Sequence, residues 1–323
     1  MTEIYLIRHA EAEGNCYRRI HGHYESLITP NGEKQIEALK RRFANVPIDV
    51  CYASDLYRTC RTAQAVFVPK KLPLHADARF RERALGRWED TPFGQLEHFE
   101  AEKMHQFSHD ERRWLVEGAE PYDALVSRMM EGLTQAAEEN EGGTVAVFSH
   151  GCAIRAVQQT VQGSDDVPYC DNTAVSLFTY ENGVWGIEYL NDNSHLPEEI
   201  STFAKQKWWR RDPDRKDYNL WYRQLSEGSW EPVLGDTPVG KVAVEPETGR
   251  LTALELGERF RNMALGPQLL GQAVSTLRRR GVPTVSVRLP AQSRARSFFA
   301  AQGFLPVQEQ NGFVILEKNI VVP

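Results

Sequence analysis

The chain has 323 residues, 41% of them hydrophobic and 25% charged, with a formal net charge of -6 at pH 7. That length suits two ordinary domains or one large one, and the composition excludes a disordered, collagen-like or coiled-coil protein. The acidic balance argues against a sequence-independent nucleic-acid binder, and no apolar run approaches the roughly 20 residues a membrane-spanning helix needs.

The start, Met1-Thr2-Glu3, lacks the basic flank and apolar stretch of a secretion signal. The five cysteines, Cys16, Cys51, Cys60, Cys152 and Cys170, are odd in number, scattered and without a C-x-x-C pair. A reducing, cytoplasmic setting with neither membrane nor nucleic-acid partner is therefore expected. All nine histidines and all five cysteines precede residue 196, so any imidazole chemistry belongs to the first part of the chain.

In chain order, Ile4-Tyr5-Leu6-Ile7 reads as a buried strand leading into Arg8-His9. Helical patterns follow at Gly32–Phe43 and Tyr122–Glu139. Thr144–Phe148 is a second buried strand, leading into Ser149-His150-Gly151. Strands alternating with helices predict an α/β fold with a mostly parallel sheet flanked by helices. In such sheets ligands bind beyond the carboxyl ends of the strands, where both His9 and His150 fall. After Leu196-Pro197 the composition shifts. A connection is placed near 197–217, carrying Trp208, Trp209, Arg210, Arg211, Asp212 and Pro213. Beyond it, Val239–Val244 and Leu251–Leu256 predict a hairpin, and Pro267–Arg280 a helix capped by Gly281. A strand over Thr284–Leu289, a short helix over Ser293–Gln302 and further strand to Val322 complete the reading. The expected division is 1–197, a linker over 198–217, and 218–323 as a smaller α+β domain.

Two histidines just beyond buried strands, one with an arginine beside it, suggest phosphate chemistry. Neutral imidazole can attack phosphorus, arginine supplies permanently charged donors for phosphate oxygens, and a carboxylic acid can protonate the leaving alcohol. The residues then become more specific. Leu6-Ile7-Arg8-His9-Ala10-Glu11-Ala12-Glu13-Gly14-Asn15 resembles the signature of the histidine phosphatase superfamily, the phosphoglycerate mutase-like enzymes. The resemblance continues through Thr29-x-x-Gly32-x-x-Gln35, Ser54-Asp55-Leu56-Tyr57-Arg58-Thr59-x-x-Thr62-Ala63 and Arg81-Glu82-x-x-Leu85-Gly86-x-Trp88-Glu89. It closes with Ser149-His150-Gly151 and Asn191-Asp192-x-x-His195-Leu196, in family order over about the first 196 residues.

The resemblance implies roles. His9 is the nucleophile that becomes phosphorylated. Arg8, Arg58 and His150 form the phosphate pocket, with Asn15 a further phosphate contact. Glu82 is the general acid that later acts as base. Arg19, His21 and Glu25 match a more variable, substrate-side loop. Ala10, Ala12, Gly14, Glu25 and Asp90 depart from the family's commoner Gly, Thr, Trp, Asp and Gly, and none of these removes a reacting group. The Glu82–His150 stretch is shorter than the true mutases require, which favours a phosphatase acting without metal on a small phosphorylated metabolite. A mutase passing phosphate between sugar-acid positions is the alternative. His75, His98, His105 and His109 read as ordinary histidines, while His23 and His195 are structural or at the pocket rim. Cys152 reads as a small buried residue, and no spacing matches a familiar metal-ligand set.

The later stretch Leu254–Leu270 resembles the acyl-CoA-binding segment of GNAT acetyltransferases, whose Arg/Gln-x-x-Gly-x-Gly/Ala loop holds a pyrophosphate at a helix start. Here the loop reads Arg261-x-x-Ala264-x-Gly266, with Ala264 in a glycine position. Gln292-x-x-Ala295-x-x-Phe298-Phe299-x-x-x-Gly303-Phe304 resembles the closing motif, with Phe299 where a Tyr protonates the departing thiolate and Gln292 where Asn is usual. Tyr218–Leu225 could be the first strand. Only about a dozen residues then precede the hairpin, too few for the helices on the acceptor side. A trimmed, structural or inactive module is the first reading, acetyl-CoA binding or sensing the second and acetyl transfer the third. A homodimer is compatible with either.

Overall fold

The computed structural model describes residues 1–206 and 218–323. The tryptophans and arginines expected to connect two domains, Trp208 to Pro213, lie outside the described residues. In chain order the first elements are β1 (Thr2–Arg8), α1 (Glu13–Tyr17), α2 (Pro30–Arg42), β2 (Val50–Ala53), α3 (Tyr57–Lys70), β3 (Leu74–Ala76), α4 (Phe93–Phe99), α5 (Ala101–His109) and α6 (Tyr122–Glu139). Next come β4 (Thr144–Ser149), α7 (Gly151–Gln162), β5 (Val175–Glu181), β6 (Val184–Asp192), α8 (Thr202–Lys205), β7 (Leu220–Ser226), β8 (Ser229–Leu234) and β9 (Thr237–Pro238). The last are β10 (Gly240–Glu245), β11 (Arg250–Leu256), α9 (Gly266–Arg279), β12 (Thr284–Pro290), α10 (Ala295–Ala301), β13 (Leu305–Gln310) and β14 (Phe313–Asn319).

The chain forms two compact units that interleave in sequence. Unit 1 comprises 1–12, 21–89 and 105–205; unit 2 comprises 13–20, 90–104 and 206–323. This differs from the contiguous division expected at residue 197. The physical reason is that Tyr17, within the segment 13–20, is buried in the same apolar core as Leu220, Leu269, Leu270 and Ile320. A local composition shift could not register that partnership.

Unit 1 is a six-stranded sheet in the order β3-β2-β4-β1-β5-β6. The first four strands are parallel, while β5 and β6 run antiparallel, so the sheet is mixed. Alternate residues of β1 and β4 face opposite sides. Ile4, Leu6, Val145 and Val147 pack with Leu125, Met129, Ile154 and Val157 of α6 and α7. Ile7, Ala146 and Phe148 pack with Ile36, Leu39, Ala63 and Val66 of α2 and α3. Burial on both faces explains the unbroken apolar runs of these strands. Helix α2 starts where Thr29 Oγ accepts the Gly32 amide at 2.9 Å, with Pro30 in the first turn.

Unit 2 is an eight-stranded sheet, β13-β14-β12-β11-β10-β8-β7 with β9 against β8. All pairs are antiparallel except β11 and β12, which run parallel and pair at Arg250–Ser286 alone. The expected hairpin is β10–β11, and α9 ends before Gly281 in the left-handed region, φ 72°. Strands β8 and β9 fill the interval between β7 and the hairpin. Among the described residues no helix is long and apolar enough to cross a membrane.

Candidate active site

The carboxyl ends of β1 and β4 are neighbours, Arg8 pairing with Ser149. The chain therefore delivers His9 and His150 side by side, their ring centroids 5.2 Å apart. His9 is 2% exposed. Its Nδ1 lies 2.7 Å from the Ala10 carbonyl. A carbonyl can only accept, so Nδ1 carries the proton and Nε2 keeps its lone pair. Burial, then the Arg58 and Arg8 charges and His21, hold the His9 pKa well below the ordinary 6.5. The ring is a neutral imidazole in a cationic setting.

Arg58, fully buried in α3, donates from Nε to His150 Nδ1 at 3.2 Å and from its terminal nitrogens to Tyr24 O at 3.1 Å and Gly22 O at 2.7 Å. Burial lowers its pKa to about 10, leaving it a cation at neutral pH. Because Nδ1 of His150 accepts, its Nε2 is the protonated nitrogen and donates to Ser54 Oγ at 2.9 Å. Burial, followed by Arg58, holds His150 neutral as well. Arg8 donates to Cys170 O at 2.6 Å, and its buried Nε has no hydrogen-bond partner among the described residues. An anion would satisfy that donor. His21 stands edge-on to His9 at 5.9 Å and bonds Ser26 Oγ at 2.9 Å.

Glu82 is 8% exposed. One carboxylate oxygen accepts the amides of Arg83 and Ala153, both at 2.9 Å, and the other that of Cys152 at 3.1 Å. Cys152 and Ala153 lie in the first turn of α7, which Gly151 opens after His150, so the Glu82 carboxyl group takes up amides that a helix start leaves without an intrahelical partner. The loop carrying Glu82 is tied down by Ser149 and His23 and by groups the sequence did not single out, Arg128 and Arg83 among them. Arg128 of α6 donates to the carbonyls of Arg79 and Arg81, each at 2.7 Å, and of Glu82 at 2.8 Å. Ser149 Oγ donates to Phe80 O at 2.8 Å, and His23 Nε2 bonds Glu82 O at 2.8 Å. Arg83 is 1% exposed and donates to the carbonyls of Glu111, Trp114 and Glu120. Asn172 donates to His9 O at 2.9 Å. All these act on backbone carbonyls, which leave no trace in residue spacing.

The Thr29-x-x-Gly32-x-x-Gln35 pattern proves to be a brace on Glu11, two residues beyond His9. Thr29 Oγ1 donates to Glu11 Oε1 at 2.7 Å, Gln35 Oε1 accepts the Glu11 amide at 2.7 Å, and a Cβ on Gly32 would lie 2.2 Å from Glu11 O. Glu25 accepts the Tyr57 amide at 2.9 Å, at the start of α3. His195 bonds Arg42 and Thr173, and burial lowers it to about 4. Burial drives the Cys152 thiol well above its ordinary pKa, in keeping with an unreactive thiol. Among the described residues no group of three or more His, Cys, Asp or Glu could hold a metal ion.

Asn15 and Arg19 belong to unit 2. Arg19 is 6% exposed, with Nε 2.7 Å from Asp90 Oδ1 and its terminal nitrogens on Gln272, Ser275 and Asp90 O. Its donors are thus turned to protein partners in unit 2, whereas the resemblance implied a substrate contact. Asn15 lies within α1. In the later loop Asn262 and Ala264 both have positive φ, 60° and 58°. Ala264 therefore adopts the glycine-type conformation, at a cost of about 1–2 kcal/mol. Arg261 is exposed and turns back to Leu256 O at 3.4 Å. Gly266 opens α9, but Pro267 has no N–H and the Gln268 amide is turned to Leu265 O. Phe299, 3% exposed, lies in the apolar core of unit 2.

The fold and site define an α/β protein whose paired histidines, braced from Glu11 and backed by arginines, stand at the carboxyl ends of the central strands. The family model for the histidine phosphatase superfamily (branch 1) matches residues 4–193, and the chain belongs to that family. A curated relative, the probable phosphoglycerate mutase GpmB of Salmonella choleraesuis (strain SC-B67), is 28% identical over 205 residues, covering 61% of this chain and 95% of that protein. Among solved structures, Bacillus stearothermophilus YhfR superposes with a TM-score of 0.58 at 25% identity, covering 60% of this chain and 99% of that one. An α-ribazole phosphatase from Shigella flexneri shares the fold at 22% identity and a TM-score of 0.53, covering 59% and 96%.

Proposed function

We propose that the protein is a phosphomonoesterase working through a phosphohistidine, on a small phosphorylated metabolite and without a metal. One observation carries the reading: His9 presents an unprotonated Nε2 beside Arg8, Arg58 and His150, because its Nδ1 proton is committed to Ala10 O. In the first step Nε2 forms the bond to phosphorus as the ester P–O bond breaks, and Glu82 gives its proton to the departing oxygen. In the second, water attacks the phosphohistidine, Glu82 takes the water's proton, and inorganic phosphate leaves with His9 restored. The guanidiniums neutralise the equatorial oxygens of a loose, anionic transition state. The backbone amides on Glu82 fix its carboxyl group.

The name of the curated relative supports a second reading, phosphoglycerate mutase-type transfer. Assaying phosphate release from a panel of phosphomonoesters with chelator present, with and without a bisphosphorylated primer, separates the two. Release without primer supports the hydrolase, and isomerisation that depends on primer overturns it.

For unit 2 the favoured reading is a trimmed GNAT-like scaffold. The order β10–β11, α9, β12, α10, β13–β14 and the parallel β11–β12 pair support the resemblance. The missing amide at Pro267, the occupied amide of Gln268 and the apolar placement of Phe299 favour a structural role over acetyl-CoA binding or acetyl transfer. Calorimetric titration with acetyl-CoA tests this; a saturable heat would overturn it.

A further inference from the structure

Part of the phosphatase signature folds as unit 2. Residues 13–20 and 90–104 fall inside the family match at 4–193, yet they cluster with 206–323. Glu13, 1% exposed, has its carboxylate 2.8 Å from Lys318 Nζ and 2.8 Å from Arg278. Lys318 itself is 8% exposed and donates to Tyr17 Oη at 3.0 Å and Gln302 O at 2.9 Å. Burial opposes the Glu13 charge, but Lys318 and Arg278 outweigh it and hold the group below its ordinary pKa. On α9, Gly271 leaves room for Tyr17, since a Cβ there would lie 2.4 Å from Tyr17 Cβ.

A second network repeats the pattern. Asp90 stands where the family more often has glycine and keeps the left-handed backbone, φ 55°. Its carboxylate accepts from Arg19 at 2.7 Å, Ser275 Oγ at 2.6 Å and Arg279 Nε at 2.9 Å. The backbones of Ile20 and the 90–91 segment are cross-bonded, with Ile20 N–H to Thr91 O and Asp90 N–H to Ile20 O, both at 2.9 Å.

The segment held this way is short, and it is peptide-bonded at both ends to catalytic loops. Three residues separate His9 from Glu13. Beyond Ile20 come His21, whose ring faces His9, and Gly22, whose carbonyl takes a hydrogen bond from Arg58. We infer that Lys318 and Asp90 are positioning residues for phosphoryl transfer: from unit 2 they fix segment 13–20, and through its two peptide junctions they fix His9 and His21. Buried ion pairs are costly to break on one side only, and small displacements of reacting groups cost rate steeply. The inference rests on the phosphohistidine reading.

The test uses full-length Lys318→Met, Asp90→Asn and Lys318→Arg. Asn tolerates the left-handed backbone, so Asp90→Asn serves even where Lys318→Met does not fold. Active sites are counted by the burst of aryl alcohol from an aryl phosphate, and hydrogen exchange is followed in peptides spanning 8–12 and 21–24. The expected result is a fall of at least about tenfold in kcat/KM per active site, faster exchange in both peptides, and recovery in Lys318→Arg. Unchanged kcat/KM per active site, with only a lower Tm, would overturn the positioning role. His9→Ala turning over at the wild-type rate would overturn the phosphohistidine reading and the kinetic claim with it, while unchanged exchange in the variants would separately refute the clamp.

Discussion

At His9 the tautomer is decided by one acceptor. Since Ala10 O takes the Nδ1 proton while burial and then the neighbouring charges resist a second proton, the ring stays neutral below the pH at which an ordinary histidine protonates. The acid limb of the kcat/KM profile on an aryl phosphate is therefore expected well below 6.5, the ordinary histidine value; a limb centred there would show an unshifted ring. In the proposed reaction Glu82 protonates the leaving oxygen, so Glu82→Gln should lower kcat/KM, which reports the first step, by about 10²–10⁴ for alkyl phosphates and far less for aryl phosphates. Equal losses on both would deny it the acid role.

Helices and loops carry the next level of support. Thr29 caps α2 and bonds Glu11, so Thr29→Ala is expected to cost about 1–2 kcal/mol in chemical denaturation. Arg128 gathers three carbonyls of the Glu82 loop, and Arg128→Leu should share the leaving-group dependence of Glu82→Gln, with a stability loss of about 2–4 kcal/mol. Equal rates on alkyl and aryl esters relative to wild type would assign Arg128 to folding alone. Much of this level was legible. The helix over Tyr122–Glu139 follows from apolar periodicity and the strand expected over Thr144–Phe148, which extends to Ser149, from its apolar run; the positions of His9 and His150 follow from strand ends. The supports formed by Arg83, Arg128 and Asn172 were not legible, because a side chain bonded to a distant carbonyl needs no partner of any given type. The surroundings of Arg19 were hidden for a related reason: its signature position implies substrate, and nothing in the spacing points to Asp90, Gln272 and Ser275, which take its donors.

Over the whole chain, buried neutral histidines give stability a definite pH dependence. His9, His21 and His150 are held well below 6.5 and His195 at about 4, so as pH falls below 6.5 the unfolded chain binds protons that the folded chain refuses. Their contribution is complete above that pH and is lost progressively below it; Tm should drop between pH 7 and 5, and a flat Tm would contradict the assigned protonation states. The interleaved units were invisible in the sequence because pairs such as Glu13–Arg278 join residues 265 positions apart. A chain ending at residue 205 would leave Glu13, Tyr17 and Arg19 without Lys318, α9 and Ser275, and is expected to lose its near-ultraviolet circular dichroism. The central claim, that phosphate passes through His9, is tested most directly by rapid mixing of an aryl phosphate with wild-type protein and with His9→Ala. A burst of one alcohol per active site in the wild type, absent from a folded His9→Ala, is the predicted result; His9→Ala turning over at the wild-type rate would contradict it.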